Sequence, residues 1–70
     1  MEKYYVSFRN EVGDWERQSI ESSDLRKMTA EARDLQRILT TDRKEYGCYY
    51  AVCKEEGDGV DSIIYSAAGY

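Results

Sequence analysis

Seventy residues with a net charge of −4 hold one small domain. A chain this short buries only about 60% of its unfolded surface, which excludes a separate substrate domain closing over a deep catalytic cleft. The acid excess is uneven: residues 1–23 carry −2, residues 24–45 carry +1 and residues 46–70 carry −3, a balance that phosphate backbones and anionic membranes both repel.

Residues 3–9 read as a strand, with Tyr4, Val6 and Phe8 on one face and Tyr5, Ser7 and Arg9 on the other. Residues 10–14 break that alternation, and Gly13 within a short polar link is a hairpin signal. The return strand, 15–21, has only Trp15 and Ile20 as apolar residues, on opposite faces. It therefore reads as an edge strand with a wet outer face. Losing it to a loop would leave a β-α-β-β unit instead.

Ser22 to about Thr41 is the one stretch with helical period. Leu25, Met28, Ala32, Leu35 and Leu39 recur at spacings that share one face of a helix, and Ile38 widens the stripe. Ser22 or Ser23 would cap the first turn, with Asp24 complementing the helix dipole. Lys27 with Glu31, and Asp34 with Arg37, are spaced to meet on the outer face. Gly47 is the natural stop. Residues 48–54 and 60–67 then read as strands around the turn Glu55-Glu56-Gly57-Asp58-Gly59, and 68–70 as a tail. The expected fold class is α+β: a four-stranded antiparallel sheet in the order β-β-α-β-β, with the amphipathic helix packed across one face of a single domain.

Cys48 and Cys53, on one strand, would point to opposite faces and stay unbridged, which suits a reducing cytoplasm. No run approaches the ~18 apolar residues of a membrane span, and no signal-peptide core follows Met1. A soluble, cytoplasmic protein is expected.

The chain has no His, no G-x-S-x-G and no Gly-rich phosphate loop before a helix, so the usual nucleophile, base and phosphate chemistry is missing and an enzyme is not expected. No cofactor or metal is expected either. Glu55, Glu56, Asp58 and Asp61 offer oxygens to a hard cation but lack a twelve-residue loop with its closing Glu. Two cysteines alone cannot hold zinc. Arg26, Lys27, Arg33, Arg37, Arg43 and Lys44 form a basic set interleaved with Glu31 and Asp34. They are the basis of an alternative reading as a nucleic-acid module.

Seven tyrosines are the compositional oddity. One helix covers one sheet face, so alternation leaves Tyr5 or Tyr4, and Tyr49 or Tyr50, on the other. Tyr suits binding surfaces because it offers a large area, few rotors and a polar tip. The expected binding surface combines Tyr5 and Tyr49 with Glu11, Asp14, Glu16, Glu55, Glu56, Asp58 and Asp61 from the two hairpins. Its expected partner is a larger host protein with a basic surface, without direct nucleic-acid or membrane contact. A homodimer through an edge strand at 15–21 or 60–67 is a further reading.

In size, order of elements, acidity and lack of catalytic motifs, the chain resembles the small inhibitors of phages and mobile elements, including anti-CRISPR proteins. No residue motif carries that resemblance, so no family site transfers. It implies an inhibitor that occupies a nucleic-acid-handling host effector, in the host cytoplasm. At −4 the chain is less acidic than the strong DNA mimics of that group.

Overall fold

A computed structural model describes residues 2–57, 59 and 61–67. The expected roles of Asp58 and Tyr70, and the start of the last strand at Val60, lie outside the described residues. Strands β1 (Tyr4–Arg9) and β2 (Trp15–Ser22) precede helix α1 (Leu25–Arg37), which runs on into a π-helical turn at Ile38–Asp42. Strands β3 (Tyr49–Lys54) and β4 (Ser62–Ser66) complete the chain. The sheet is antiparallel throughout, in the spatial order β2-β1-β3-β4. The fold is the expected α+β arrangement, and residues 15–21 are strand and not loop.

The two-residue period of β1 divides its side chains as anticipated. Val6, opposite Val52, is fully buried with Met28 and Ala32 of α1 and with Ala67, and Tyr4, Ile20, Leu25, Leu35, Tyr50 and Tyr65 pack around them. The helical stripe therefore meets the Tyr4-Val6-Phe8 face and leaves the Tyr5-Ser7-Arg9 face without a helix. Gln36 belongs to the buried side of α1 as well. Its Oε1 accepts from the Tyr50 N–H at 2.8 Å, while the Tyr50 carbonyl accepts from Ala67 N at 2.9 Å. Helix and sheet are thus tied by a side-chain bond where the β4 ladder runs out, since a buried N–H left unpaired costs about 1–3 kcal/mol.

Three details at the helix ends differ from expectation. The N-cap is Asp24, whose Oδ1 accepts from Arg26 N at 3.0 Å and Lys27 N at 3.3 Å. Ser22 still belongs to β2, and its hydroxyl accepts from the Asp24 N–H. Asp34 and Arg37 approach to 4.0 Å, but Lys27 and Glu31 form no ion pair among the described residues. The helix does not run to Gly47 either. Thr40 Oγ1 donates to the Gln36 carbonyl at 2.9 Å, and a side chain competing for a helical carbonyl bends the ladder. Arg43 N then reaches Ile38 O at 3.1 Å, and Lys44 takes the left-handed conformation (φ 55°) that ends the element. Cys48 lies just before β3 instead of on it, buried like Cys53, and both thiols are free.

Candidate functional site

Register decides what occupies the helix-free face. Arg9 pairs with both Trp15 and Tyr49, Ser7 with Arg17 and Ala51, and Tyr5 with Glu21 and Cys53. Between the Tyr5 and Ser7 pairs β1 advances two residues while β2 advances four. Because the insertion is even, Arg17 and Glu21 stay on the same face as Tyr5. Ser7 and Ala51, both buried, make a short-chained floor between two ends of different character.

At the end nearest the β3–β4 connection, the Arg17 guanidinium lies over the Tyr5 ring, 4.0 Å from its centroid. The same Arg17 Nη2 donates to Glu21 at 3.0 Å and to Glu55 at 2.9 Å, and Lys3 joins Glu21 at 3.3 Å. Beneath this lattice Tyr5 is only 6% exposed, and its hydroxyl donates to the Asp61 carboxylate. Burial, then that hydrogen bond, hold the phenol well above its ordinary value. The Tyr5 hydroxyl, then the Glu56 N–H, hold Asp61 below its own. Glu56 lies near Lys54, which pairs chiefly with Glu2 at 2.7 Å.

At the other end, beside the Asn10–Asp14 turn, Trp15 meets Tyr49 edge to face with ring centroids 5.8 Å apart. Arg9 Nη1 donates to the Tyr49 hydroxyl at 3.4 Å, and its guanidinium carbon lies 5.9 Å from that ring. Trp15 is 41% exposed and Val12, in the adjoining turn, 82%. The turn itself is firmly built. Asn10 Oδ1 accepts from the Val12 and Asp14 N–H groups, and Gly13 supplies the positive φ. A hollow of about 250 Å³ opens between Arg9, Glu11, Gly13, Gly47 and Tyr49. Across the Glu11-Val12 arm a second hollow, about 350 Å³, runs past Phe8 and Glu45 to Cys48. Burial, then Glu45 and Glu11, push the Cys48 thiol up and keep it protonated. A neutral, buried thiol is a poor nucleophile.

The structure therefore divides the anticipated binding residues. Tyr49 and Glu11 line one hollow at the turn end, Asp14 closes the adjoining turn through its backbone, and neither carboxylate has an ion-pair partner among the described residues. Glu16 opposes Phe8, on the helix side of β2, and accepts from the Asn10 side chain at 3.3 Å. Tyr5, Glu55, Glu56 and Asp61 lie at the far end. With Lys54 opposite Tyr4, the Glu55–Asp61 connection falls beside the start of β1. One continuous surface joining Tyr5 and all the hairpin acids is not formed, because antiparallel pairing sends the two connections to opposite ends of the sheet. Trp15, Arg9 and Arg17 are the residues that sequence reasoning missed. Their only signal was alternation, which names a face but not a neighbour until the register is known.

On α1, Arg26, Arg33 and Arg37 line up with Ala30 as an exposed stripe. Arg43 is paired with Glu45 at 2.7 Å. Among the described residues no group of three or more His, Cys, Asp or Glu is placed to hold a metal ion, and no helix is long and apolar enough to cross a membrane. No protein-family model matches the chain, and no curated protein or solved structure matches it.

Proposed function

We propose that the chain is a non-enzymatic binding protein that docks on a larger protein through the turn end of its helix-free sheet face. The observation that carries this reading is the partly exposed Trp15–Tyr49–Arg9 cluster beside the turn that holds Glu11 and Asp14, two carboxylates not engaged in ion pairs among the described residues. Trp, Tyr and Arg are the residue types that dominate binding energy when a partner covers them. Free carboxylates at the rim steer association toward Arg/Lys-rich surfaces. A basic, nucleic-acid-handling host protein such as a CRISPR–Cas effector is the partner that the likeness to phage inhibitors suggests. Occupying its nucleic-acid path would inhibit it with no chemistry required of this chain.

The test is paired capture from host lysate with the parent protein and with Trp15→Ala, followed by affinity and inhibition measurements on what the parent retains. The reading requires Trp15→Ala to lose that protein while its circular dichroism stays the same. Equal capture and equal inhibition by both would overturn it.

A further inference from the structure

Where β4 ends, a hollow of about 410 Å³ lies between Arg33, Gln36, Arg37 and Thr40 of the helical segment and Tyr65 and Ala67 of the sheet. Among the described residues no carboxylate lines it. Asp34, which reaches Arg37 at 4.0 Å, lines a separate hollow with Ala30, on the other side of the two arginines. Arg33 and Arg37 are exposed and one helical turn apart, so they bring like charges to one rim, where they repel. Arg33 has no ion-pair partner among the described residues.

A second observation comes from the wall of the hollow. Gln36 is only 9% exposed, and its Oε1 accepts from the Tyr50 N–H at 2.8 Å, which fixes the orientation of the carboxamide. Its Nε2 has no acceptor among the described residues. A largely buried donor of this kind calls for an acceptor. Thr40 supplies none of the missing donors, because its hydroxyl proton goes to the Gln36 carbonyl.

We propose that this hollow binds the phosphate group of a nucleotide. A terminal phosphate carries about −1.5 to −2 charges and three acceptor oxygens, so it balances both guanidinium groups, whereas one carboxylate would leave a charge unmet. Arg33 and Arg37 hold the phosphate oxygens, for which planar guanidinium forks are suited, and Gln36 Nε2 donates to the same group. Tyr65, half-buried in the same hollow, offers its ring to the base. The net charge of −4 repels a long phosphate backbone, but residues 24–45, which supply the arginines, carry +1. A free nucleotide and the phosphorylated end of a single strand share this chemistry. The site has no residue in common with the Trp15–Tyr49 cluster and does not depend on it.

The test is an NMR titration of the isotope-labelled full chain, read at the Gln36 side-chain amide and the Arg33 and Arg37 Nε–H signals. Uridine monophosphate moves these signals, and uridine without its phosphate does not. Arg33→Ala with Arg37→Ala weakens uridine monophosphate by about tenfold or more. Gln36→Glu, which keeps an acceptor for the Tyr50 N–H and replaces the donor with a carboxylate, weakens it as well. Tyr65→Leu weakens uridine monophosphate and leaves inorganic phosphate binding as in the parent. A short single strand with a terminal phosphate that binds more tightly than uridine monophosphate identifies the strand end as the source; equal or weaker binding identifies the free nucleotide. Because Arg33 and Arg37 are exposed, that pair still decides the matter should Gln36→Glu unfold the chain. Signals that stay still with uridine monophosphate overturn the proposal, as does undiminished affinity in the arginine variant. So does a glutamate-rich peptide, or uridine alone, that moves the same signals as strongly.

Discussion

At one end of the helix-free face an arginine lies over a tyrosine and its charge is met by two carboxylates. At the other end an arginine reaches a tyrosine hydroxyl, and its charge is met by none among the described residues. The two ends are separated by only four residues of β1, about 13 Å of strand. Around Arg17, the carboxylates of Glu21 and Glu55 both accept from Nη2 and hold the guanidinium over Tyr5. Around Arg9 no carboxylate does so among the described residues, and there Glu11 and Asp14 of the adjoining turn have no ion-pair partner. An Arg–Tyr contact is internal scaffolding when acids surround it and an exposed contact surface when they do not.

The sharpest way to break this comparison is to truncate one anchor at each end and read both stability and binding. Trp15→Ala should cost the complex at least about 2 kcal/mol, roughly thirtyfold in affinity, as a central Trp anchor does. Its cost to the fold should be no more than about 1 kcal/mol, the value of one aromatic pair. Calorimetric binding and urea denaturation together check this. Arg17→Ala should do the reverse. Its two ion pairs are about half exposed and worth little each, and the cation–π contact adds a similar amount. The fold should lose about 1 kcal/mol while affinity holds. If Arg17→Ala were instead to weaken binding as much as Trp15→Ala, the two ends would act as one surface.

Charge reversal sharpens the same point at smaller scale. Glu11→Lys with Asp14→Lys changes the net charge by as much as Glu55→Lys with Glu56→Lys. Only position separates the two variants. The first should slow association several-fold at low salt, the second less, because local charge at the contact governs steering. Stopped-flow association at two ionic strengths reads the difference. Equal slowing would mean that the acids act only through total charge.

The fold was legible because its signals are local. The spacing of Leu25, Met28, Ala32 and Leu35 names a helix face, and alternation in β1 divides its side chains between two sheet faces, while which of the two the helix covers came only with the packing of Val6 on Met28 and Ala32. The candidate site was only half legible. Tyr49 was assigned to an exposed position, but so was Tyr5, and alternation cannot tell them apart. What separates them is that Arg17 and Glu21 return to the Tyr5 side after a two-residue insertion in β2, and no local pattern announces an even insertion. The acids were grouped by composition, whereas antiparallel topology distributes them between opposite ends. Gln36 was likewise invisible as a core residue, because its role depends on where β4 stops and leaves the Tyr50 N–H in need of an acceptor.

The smallest expected effect concerns pH, and it isolates the closed end. Asp61 is held below its ordinary value of 3.8, first by the Tyr5 hydroxyl and then by the Glu56 N–H. Glu21 is held below 4.5, first by Lys3 and then by Arg17. A carboxylate whose native pKa lies below its unfolded one binds protons more readily in the unfolded chain. Its stabilisation is therefore complete above the unfolded value and is lost as pH falls through the native one. Denaturation midpoints should hold steady near neutrality, decline once pH drops below 4.5, and level off only under the native values. Tyr5→Phe removes the leading cause of the Asp61 shift and leaves Glu21 untouched. It should make the acid decline shallower, while Trp15→Ala, acting at the other end, should leave its slope as in the parent. A parent-like slope in Tyr5→Phe would show that the Tyr5–Asp61 contact contributes nothing to holding that end closed.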